Sequence, residues 1–224
     1  PRVRRAISHA IDRDAIARTV YGGTKTAASG YIPDGVRGFA PNACDACSLQ
    51  LDNARATITS VFRGKPPAIA IDYISETSSR NVAEAVRSAL ASIGITASLR
   101  GHSADAYGAF LATGKQDLAQ LGWLTDVPTP DGFVAEQLRS RSQNNKVGFH
   151  DLRFDSLIDR ARGERDEAAR LNLYRVAEQR ALSLMPLIPI VFFRNRTAVA
   201  SSVRGFLLSG AGTFDGSAVW LASK

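Results

Sequence analysis

Apolar residues fall at helical spacing from the first turn of the chain. Val3, Ala6, Ile7 and Ala10 sit at i, i+3, i+4 and i+7, which predicts a helix over residues 3–10. Asp12 is placed to cap a second helix whose apolar face holds Ala15, Ile16, Thr19 and Val20, with Gly22 and Gly23 as its stop. Periodicity then lapses. Residues 24–50 carry turn chemistry around Tyr31, Ile32, Pro33, Asp34 and Gly35 and read as an ordered surface loop. Asp52 is the expected cap of a third helix that reaches about Phe62 and is broken by Gly64, Lys65, Pro66 and Pro67.

The period then changes from helical to alternating. Residues 68–74 put Ile69, Ile71 and Tyr73 on one face and small residues on the other, as a strand covered by helices does. Val82, Ala85, Val86, Ala89, Leu90 and Ile93 form an amphipathic helix that stops at Gly94, followed by a strand over 95–99, a helix over 104–112 and a strand over 117–123. This β-α-β alternation predicts parallel pairing with a right-handed crossover and a mixed α/β fold. Helices follow at about 131–140, 154–162 and 166–184. The last is expected to bury Leu173, Val176, Ala177, Ala181 and Leu184 and to end at Pro186. Short strands are expected over 187–193, 197–200 and 206–208, and there is no internal repeat or low-complexity tract.

A length of 224 residues accommodates one large domain or two small ones. The net charge of +7 raises nucleic acid as a partner, but the cations are not clustered: seven arginines between Arg153 and Arg180 alternate with Asp155, Asp159, Glu164, Asp166, Glu167 and Glu178. That mixture is the pattern of a solvated helix surface, so no nucleic acid is expected. No apolar run approaches the ~18 residues of a membrane-spanning helix, and residues 182–193 are interrupted by Pro186 and Pro189. Because Pro1 has no methionine before it and the first residues already read as helix, the chain is expected to start inside a longer protein, with any secretory signal or lipid-attachment cysteine upstream.

Cys44 and Cys47 form a C-x-x-C. A zinc site needs about four ligands, whereas His9, His102 and His150 are scattered singly, and a redox pair normally opens a helix after a strand. The favoured reading is a local disulfide in an exported protein. Motifs for catalysis are absent: there is no G-x-S-x-G elbow, H-E-x-x-H or phosphate-binding loop. Neither an enzymatic activity nor a cofactor or metal is expected.

Residues 118–133, LAQLGWLTDVPTPDGF, carry the candidate chemistry. An apolar strand ends on Gly122 and Trp123, and Asp126 follows in a proline-bounded turn. Ligands bind open α/β sheets beyond the carboxyl ends of their strands, where a lone carboxylate beside an indole suits a cation. Asp126 also fits as the cap of the helix entered through residues 128–131, and Trp123 as core packing. Ser78, Ser79 and Asn81 stand where a strand turns into a helix, a place for anion contact or for ordinary capping. Asn144 and Asn145 read as polar turn structure.

The block resembles the GW-x-aD-y-pDP-x-x-F segment of the family 5 extracytoplasmic solute-binding proteins, the peptide, dipeptide and nickel receptors of ABC importers, with Gly122, Trp123, Asp126, Pro128, Pro130, Asp131 and Phe133 in register. Residues 3–21, 51–56, 154–162 and 185–191 resemble further segments of that family in the same order. The resemblance implies the second lobe of a two-lobed periplasmic-binding-protein-like fold over residues 1–200, with a tail over 201–224 that packs on the first lobe. It implies capture of a peptide or related small ligand by lobe closure, with Asp126 receiving an α-ammonium group and Trp123, Thr125 and Val127 beside it. Ser78, Ser79 and Asn144 are weaker candidates for ligand or anion contact.

Partners implied are ABC permease subunits, and localisation is extracytoplasmic, held to the membrane only by an upstream lipid anchor. The family's usual aromatic after the aspartate is Val127 here, and its second aspartate is Thr129. Two other classes share the fold: a receptor-derived interaction or regulatory module, and the ligand-sensing domain of a transcription regulator.

Overall fold

The structure, a computed structural model, describes residues 1–194, 197–209 and 212–222. Two helices open it, α1 (Arg2–Ala10) and α2 (Arg13–Thr19), and the Asp12 carboxylate accepts from Ala15 N at 2.8 Å, the predicted cap. After β1 (Thr26–Ala27) and a 3₁₀ turn at Asp45–Cys47 comes α3 (Leu51–Phe62). Its capping position is Gln50, not Asp52. Asp52 lies inside the first turn, where its charge still faces the positive end of the helix.

β2 (Ile69–Ile74), α4 (Thr77–Ser92), β3 (Ala97–His102), α5 (Ala104–Ala112) and β4 (Leu118–Ala119) follow. They form a three-stranded sheet of order β3-β2-β4 with both pairings parallel, as the alternation predicts. Val82, Val86 and Leu90 of α4 are buried against it. β3 starts two residues late, because Ile95 is taken up in closing α4: its N–H donates to Leu90 O at 2.9 Å and its side chain enters the core. β4 is much shorter than the expected strand over 117–123. Gln120 N still donates to Asp72 O, but the Gln120 carbonyl is met by the Tyr107 hydroxyl at 2.8 Å, and the chain leaves the sheet there.

Beyond the sheet, a π-helical turn at Asp131–Ala135 runs into α6 (Glu136–Leu138), and two antiparallel-ready helices follow, α7 (Leu152–Gly163) and α8 (Glu167–Leu184). Asp151 and Asp166 cap α7 and α8 through Phe154 N and Ala169 N. The expected strand over 187–193 shrinks to β5 (Val191–Phe192), antiparallel to β1, because Pro186 and Pro189 cannot donate to a ladder. Residues 197–200 are not strand. β6 (Val203–Arg204) pairs instead with β7 (Trp220–Leu221), and of residues 206–208 only Leu208 forms a bridge, to Phe214. Within the tail expected over 201–224, residues 210, 211, 223 and 224 lie outside the described residues.

Two hydrophobic cores result. One joins α1, α3, β2 and α4; the other joins the π-helical turn, α7 and α8 to Tyr31, Ile32, Val36, Cys44 and Ala46. The stretch over 24–50 is therefore core-forming rather than a surface loop. Its partner is Glu178 on α8, which is fully buried, not solvated, and whose Oε1 accepts from Tyr31 N at 2.7 Å and Ile32 N at 3.0 Å. Gly30 is required beside it, since a Cβ would stand 2.8 Å from that oxygen. Of the α8 residues expected inside, Ala177 and Ala181 are buried, while Leu173, Val176 and Leu184 are half-buried; Tyr174 and Leu182 take the deeper positions.

Arg13 joins the parts. Its buried guanidinium donates to the carbonyls of Ser8, Ile11, Cys47 and Pro189 and to Ser8 Oγ, and burial lowers its pKa to about 10. Cys44 and Cys47 are joined by a disulfide with Cα atoms 5.3 Å apart, in the 3₁₀ turn whose Cys47 carbonyl Arg13 holds.

Candidate functional site

Between the two cores lies an open cleft of about 1590 Å³, lined by residues of both, among them Ile71, Val82, Tyr31, Phe133 and Met185. One wall is the segment that leaves β4. It starts at the Tyr107 hydroxyl, which lies 2.9 Å from Asp72 O and 2.8 Å from Gln120 O and so ties the exit point to the middle of β2. Asp72 itself is fully buried on β2, bound by Arg100 in a two-pronged pair at 2.9 and 2.8 Å and by His102 Nε2 at 2.7 Å. The fork geometry matches the carboxylate and fixes β3 to β2.

Gly122, Trp123, Leu124 and Thr125 continue along the cleft wall. Trp123 Nε1 donates to Gly132 O at 2.8 Å, and the Thr125 hydroxyl donates to Val127 O at 3.1 Å. The turn over 125–127 thus lies directly on the π-helical segment. A Cβ on Gly132 would stand 3.0 Å from Val127 O and 3.1 Å from Thr125 Cβ, and closer still to Thr125 Oγ1, so the approach requires glycine. The wider π-turn is recorded in the Glu136 N–H reaching back five residues to Asp131 O.

Asp126 is at the tip of this turn. It is exposed and forms no hydrogen bond or ion pair among the described residues, and the helical segment is capped by Pro130, so Asp126 does not act as its cap. Val127 is also exposed. Neither side chain lines the cleft, whereas Trp123 and Thr125 do. Five residues on, Asp131 is held in the opposite way. Arg162 grips it in a fork at 2.8 and 2.7 Å and the Tyr174 hydroxyl donates at 2.8 Å. Burial alone would raise its pKa; the donors from Arg162 and Tyr174 outweigh that and hold it below the ordinary carboxylate value.

Ser78 and Ser79 line another part of the cleft, in the first turn of α4, where neither caps the helix by a side-chain bond. Asn144 is exposed and does not itself line the cleft, although Lys146 in the same turn does, and its N–H donates to Ser142 Oγ. Its neighbour Asn145 organises the turn by bonding Arg139 O, Phe149 O and Phe149 N. Gly132, Tyr107 and the Arg162–Tyr174 pair position the turn without any signal in the sequence, since each acts through contacts with residues 13 to 43 positions away or through the absence of a side chain. Among the described residues there is no cluster able to hold a metal, and no helix is long and apolar enough to cross a membrane.

The chain is similar to known proteins along nearly its whole length. Residues 1–145 match the family model described as bacterial extracellular solute-binding proteins, family 5 Middle. The chain is similar to di/tripeptide-binding protein 2 of Pseudomonas aeruginosa, 28% identical over 99% of this chain and 43% of that protein, and to the oligopeptide-binding protein OppA of Bacillus subtilis, 22% identical over 94% and 40%. The structure of HbpA2 from Haemophilus parasuis superposes with a TM-score of 0.92 at 25% identity, covering 99% of this chain and 45% of that one. The chain thus spans about two fifths of the length of the curated relatives it matches. Its mixed α/β architecture is that of one lobe of a periplasmic binding protein. It belongs to the bacterial extracellular solute-binding proteins of family 5.

Proposed function

We propose that this chain is the second lobe of the solute-binding subunit of an ABC importer, and that it captures peptides by closing against a first lobe. The observation that carries the reading is Asp126: a carboxylate without a partner among the described residues, on a turn pinned beside Trp123 at the edge of a large cleft. An ammonium group is the complement of such a carboxylate, and the relatives named as dipeptide-, tripeptide- and oligopeptide-binding proteins supply the ligand class. Lobe closure removes the pair from water and strengthens it. Trp123, Thr125 and Val127 flank the ammonium, and Ser78 and Ser79 offer polar contact across the cleft.

In this reading residues 1–200 form the lobe and residues 201–224 pack on the first lobe. Leu207, Phe214, Trp220 and Leu221 are exposed in the tail, an apolar set that such packing would cover. Permease subunits recognise the closed form, and the protein works outside the cytoplasm with a lipid anchor upstream.

The test is a titration of the full-length protein and its Asp126→Asn variant with peptides identified by native mass spectrometry of the purified protein. Losing a desolvated ion pair costs about 2–5 kcal/mol, so affinity should fall by roughly tens to thousands of fold with melting unchanged. Equal affinities, or a variant that unfolds, would remove Asp126 from the ligand site.

A further inference from the structure

The C-x-x-C pair lies behind one wall of the cleft. Residues 28–32 form that wall, and Ala28, Gly30 and Tyr31 line the cleft. Ala28 N–H donates to Ile190 O at 3.1 Å, the Tyr31 and Ile32 N–H groups donate to the Glu178 carboxylate, and Ser29 O accepts from Cys44 N–H at 2.8 Å. The last of these contacts comes from the 3₁₀ turn that carries the disulfide. At the far end of the turn, Cys47 O accepts from the buried Arg13 guanidinium at 2.9 Å. The turn thus links the cleft wall on one side to Arg13 on the other.

A 3₁₀ turn of three residues is weak by itself, because its hydrogen bonds are poorly formed. Here they are Cys47 N–H to Cys44 O at 3.1 Å and Ser48 N–H to Asp45 O at 3.4 Å, and the covalent bridge closes the same turn. With a sequence separation of 3, the bridge constrains the unfolded chain far less than one across a long loop, so its effect is local. Cys44 and Ala46 belong to the core around α7 and α8, and a thiol is as apolar as the bridge, so opening it leaves that core in place. Cys44 is 7% exposed and Cys47 is more open, so an incoming thiolate meets Cys47. Arg13 holds its positive charge against the Cys47 backbone and donates to carbonyls and one hydroxyl, with no carboxylate as acceptor among the described residues. A cation so placed favours the thiolate of an opened bridge.

We propose that Cys44 and Cys47 form an exchangeable disulfide that sets the rigidity of the cleft wall: oxidised, it holds residues 28–32 in place; reduced, it lets them loosen while the lobe stays folded. The reductant is a dithiol. One of its thiolates attacks Cys47 Sγ, forming a mixed disulfide as the S–S bond breaks and Cys44 leaves with the electron pair. The second thiolate closes on the first sulfur of the reductant and releases Cys47. The two protons given up by the dithiol go to the two cysteines, which gain two electrons, and the reductant departs as its own disulfide. The inference rests on the geometry behind the cleft and not on the identity of the ligand.

The experiment uses the full-length protein and its Cys44→Ser/Cys47→Ser double variant, each with and without dithiothreitol, with opening of the bridge counted by alkylation and intact mass. Amide hydrogen exchange read by mass spectrometry reports on the cleft wall without any ligand. In wild type, reduction should speed exchange at Ala28, Tyr31, Ile32 and Cys44 by about 10-fold or more, while α4 and α8 stay within about twofold of their oxidised protection. Reoxidation should restore the slow rates, and the double variant should match reduced wild type in both conditions. The proposal is overturned by a bridge that dithiothreitol does not open in the folded protein, by equal exchange at residues 28–32 in the two states, or by loss of protection in α4 and α8 on reduction, which would make the pair a structural staple. A response to dithiothreitol that persists in the double variant has the same force, since it arises elsewhere. Should the double variant fail to fold, wild type before and after reduction still decides. Failure to retain a synthetic mixture of di- to tetrapeptides in either redox state counts against the peptide reading alone and leaves this inference standing.

Discussion

Asp126 and Asp131 stand five residues apart, and the protein treats them as opposites. Asp131 is half-buried and gripped by Arg162 and Tyr174, while Asp126 is exposed and free of partners among the described residues. The difference separates two tasks that a sequence motif merges. One carboxylate anchors the helical segment to α7 and α8; the other is left available at the tip of a turn that rests on that segment. Trp123, Thr125 and Gly132 are the linkage between them.

The comparison is broken most directly at the anchor. Asp131→Ala leaves a half-exposed guanidinium and a tyrosine hydroxyl without their acceptor and should cost about 1.5–3 kcal/mol in urea unfolding, less than a fully buried pair because Arg162 is partly solvated. The same site predicts a pH dependence. With its folded pKa below the unfolded value of 3.8, Asp131 contributes stability that is complete above that value and is lost as pH falls through the folded pKa. Asp151, held down by Arg180, acts in the same direction. Wild-type stability should therefore drop below about pH 4, and Asp131→Asn should show a shallower drop in melts recorded across that range.

A smaller effect is expected at the linkage. Gly132→Ala places a methyl group against Val127 O and Thr125, and the overpacking cost of about 1–3 kcal/mol exceeds the roughly 1 kcal/mol that alanine gains over glycine in a helix. Both melting temperature and ligand affinity should fall, because the turn must lift. Trp123→Phe replaces the indole by a smaller phenyl ring, deleting its hydrogen bond to Gly132 O and part of its packing, a loss of about 1–2 kcal/mol. The smallest stability change belongs to Asp126→Asn, within about 0.5 kcal/mol for an exposed site. If that substitution destabilised the fold as much as Asp131→Ala, the division of tasks would be wrong.

What the chain reveals about itself divides along similar lines. The α4 face, the cap at Asp12 and the parallel β-α-β order were legible because local period and local capping determine them. The extent of β4 was not, because it is set by the Tyr107 hydroxyl taking the Gln120 carbonyl from another element. Residues 24–50 show no period, yet Tyr31 and Ile32 are core, fixed by a glutamate 146 or more positions away that itself looked like one more solvated charge on α8. At the candidate site the motif marks Asp126 and Trp123. It does not mark Gly132, whose contribution is a missing side chain.

Glu178 adds a counterweight to the acid behaviour. Its Oε2 has no partner among the described residues and burial raises its pKa, so its share of stability is present at low pH and declines as pH rises through the folded value, against the trend set by Asp131 and Asp151. Glu178→Gln should flatten the stability profile above the ordinary carboxylate range, measured by melts from pH 4 to 8.

The four carbonyls gathered by Arg13 come from residues 8, 11, 47 and 189, and β1 likewise waits for residues 191 and 192. On a ribosome, Arg13 therefore meets its last carbonyl, and β1 its partner strand, only after about 165 or more further residues have been made. Contacts so distant in sequence slow folding, so the seam between residues 13–27 and 189–192 closes after the α1–α3 pair and the parallel sheet have already been synthesised.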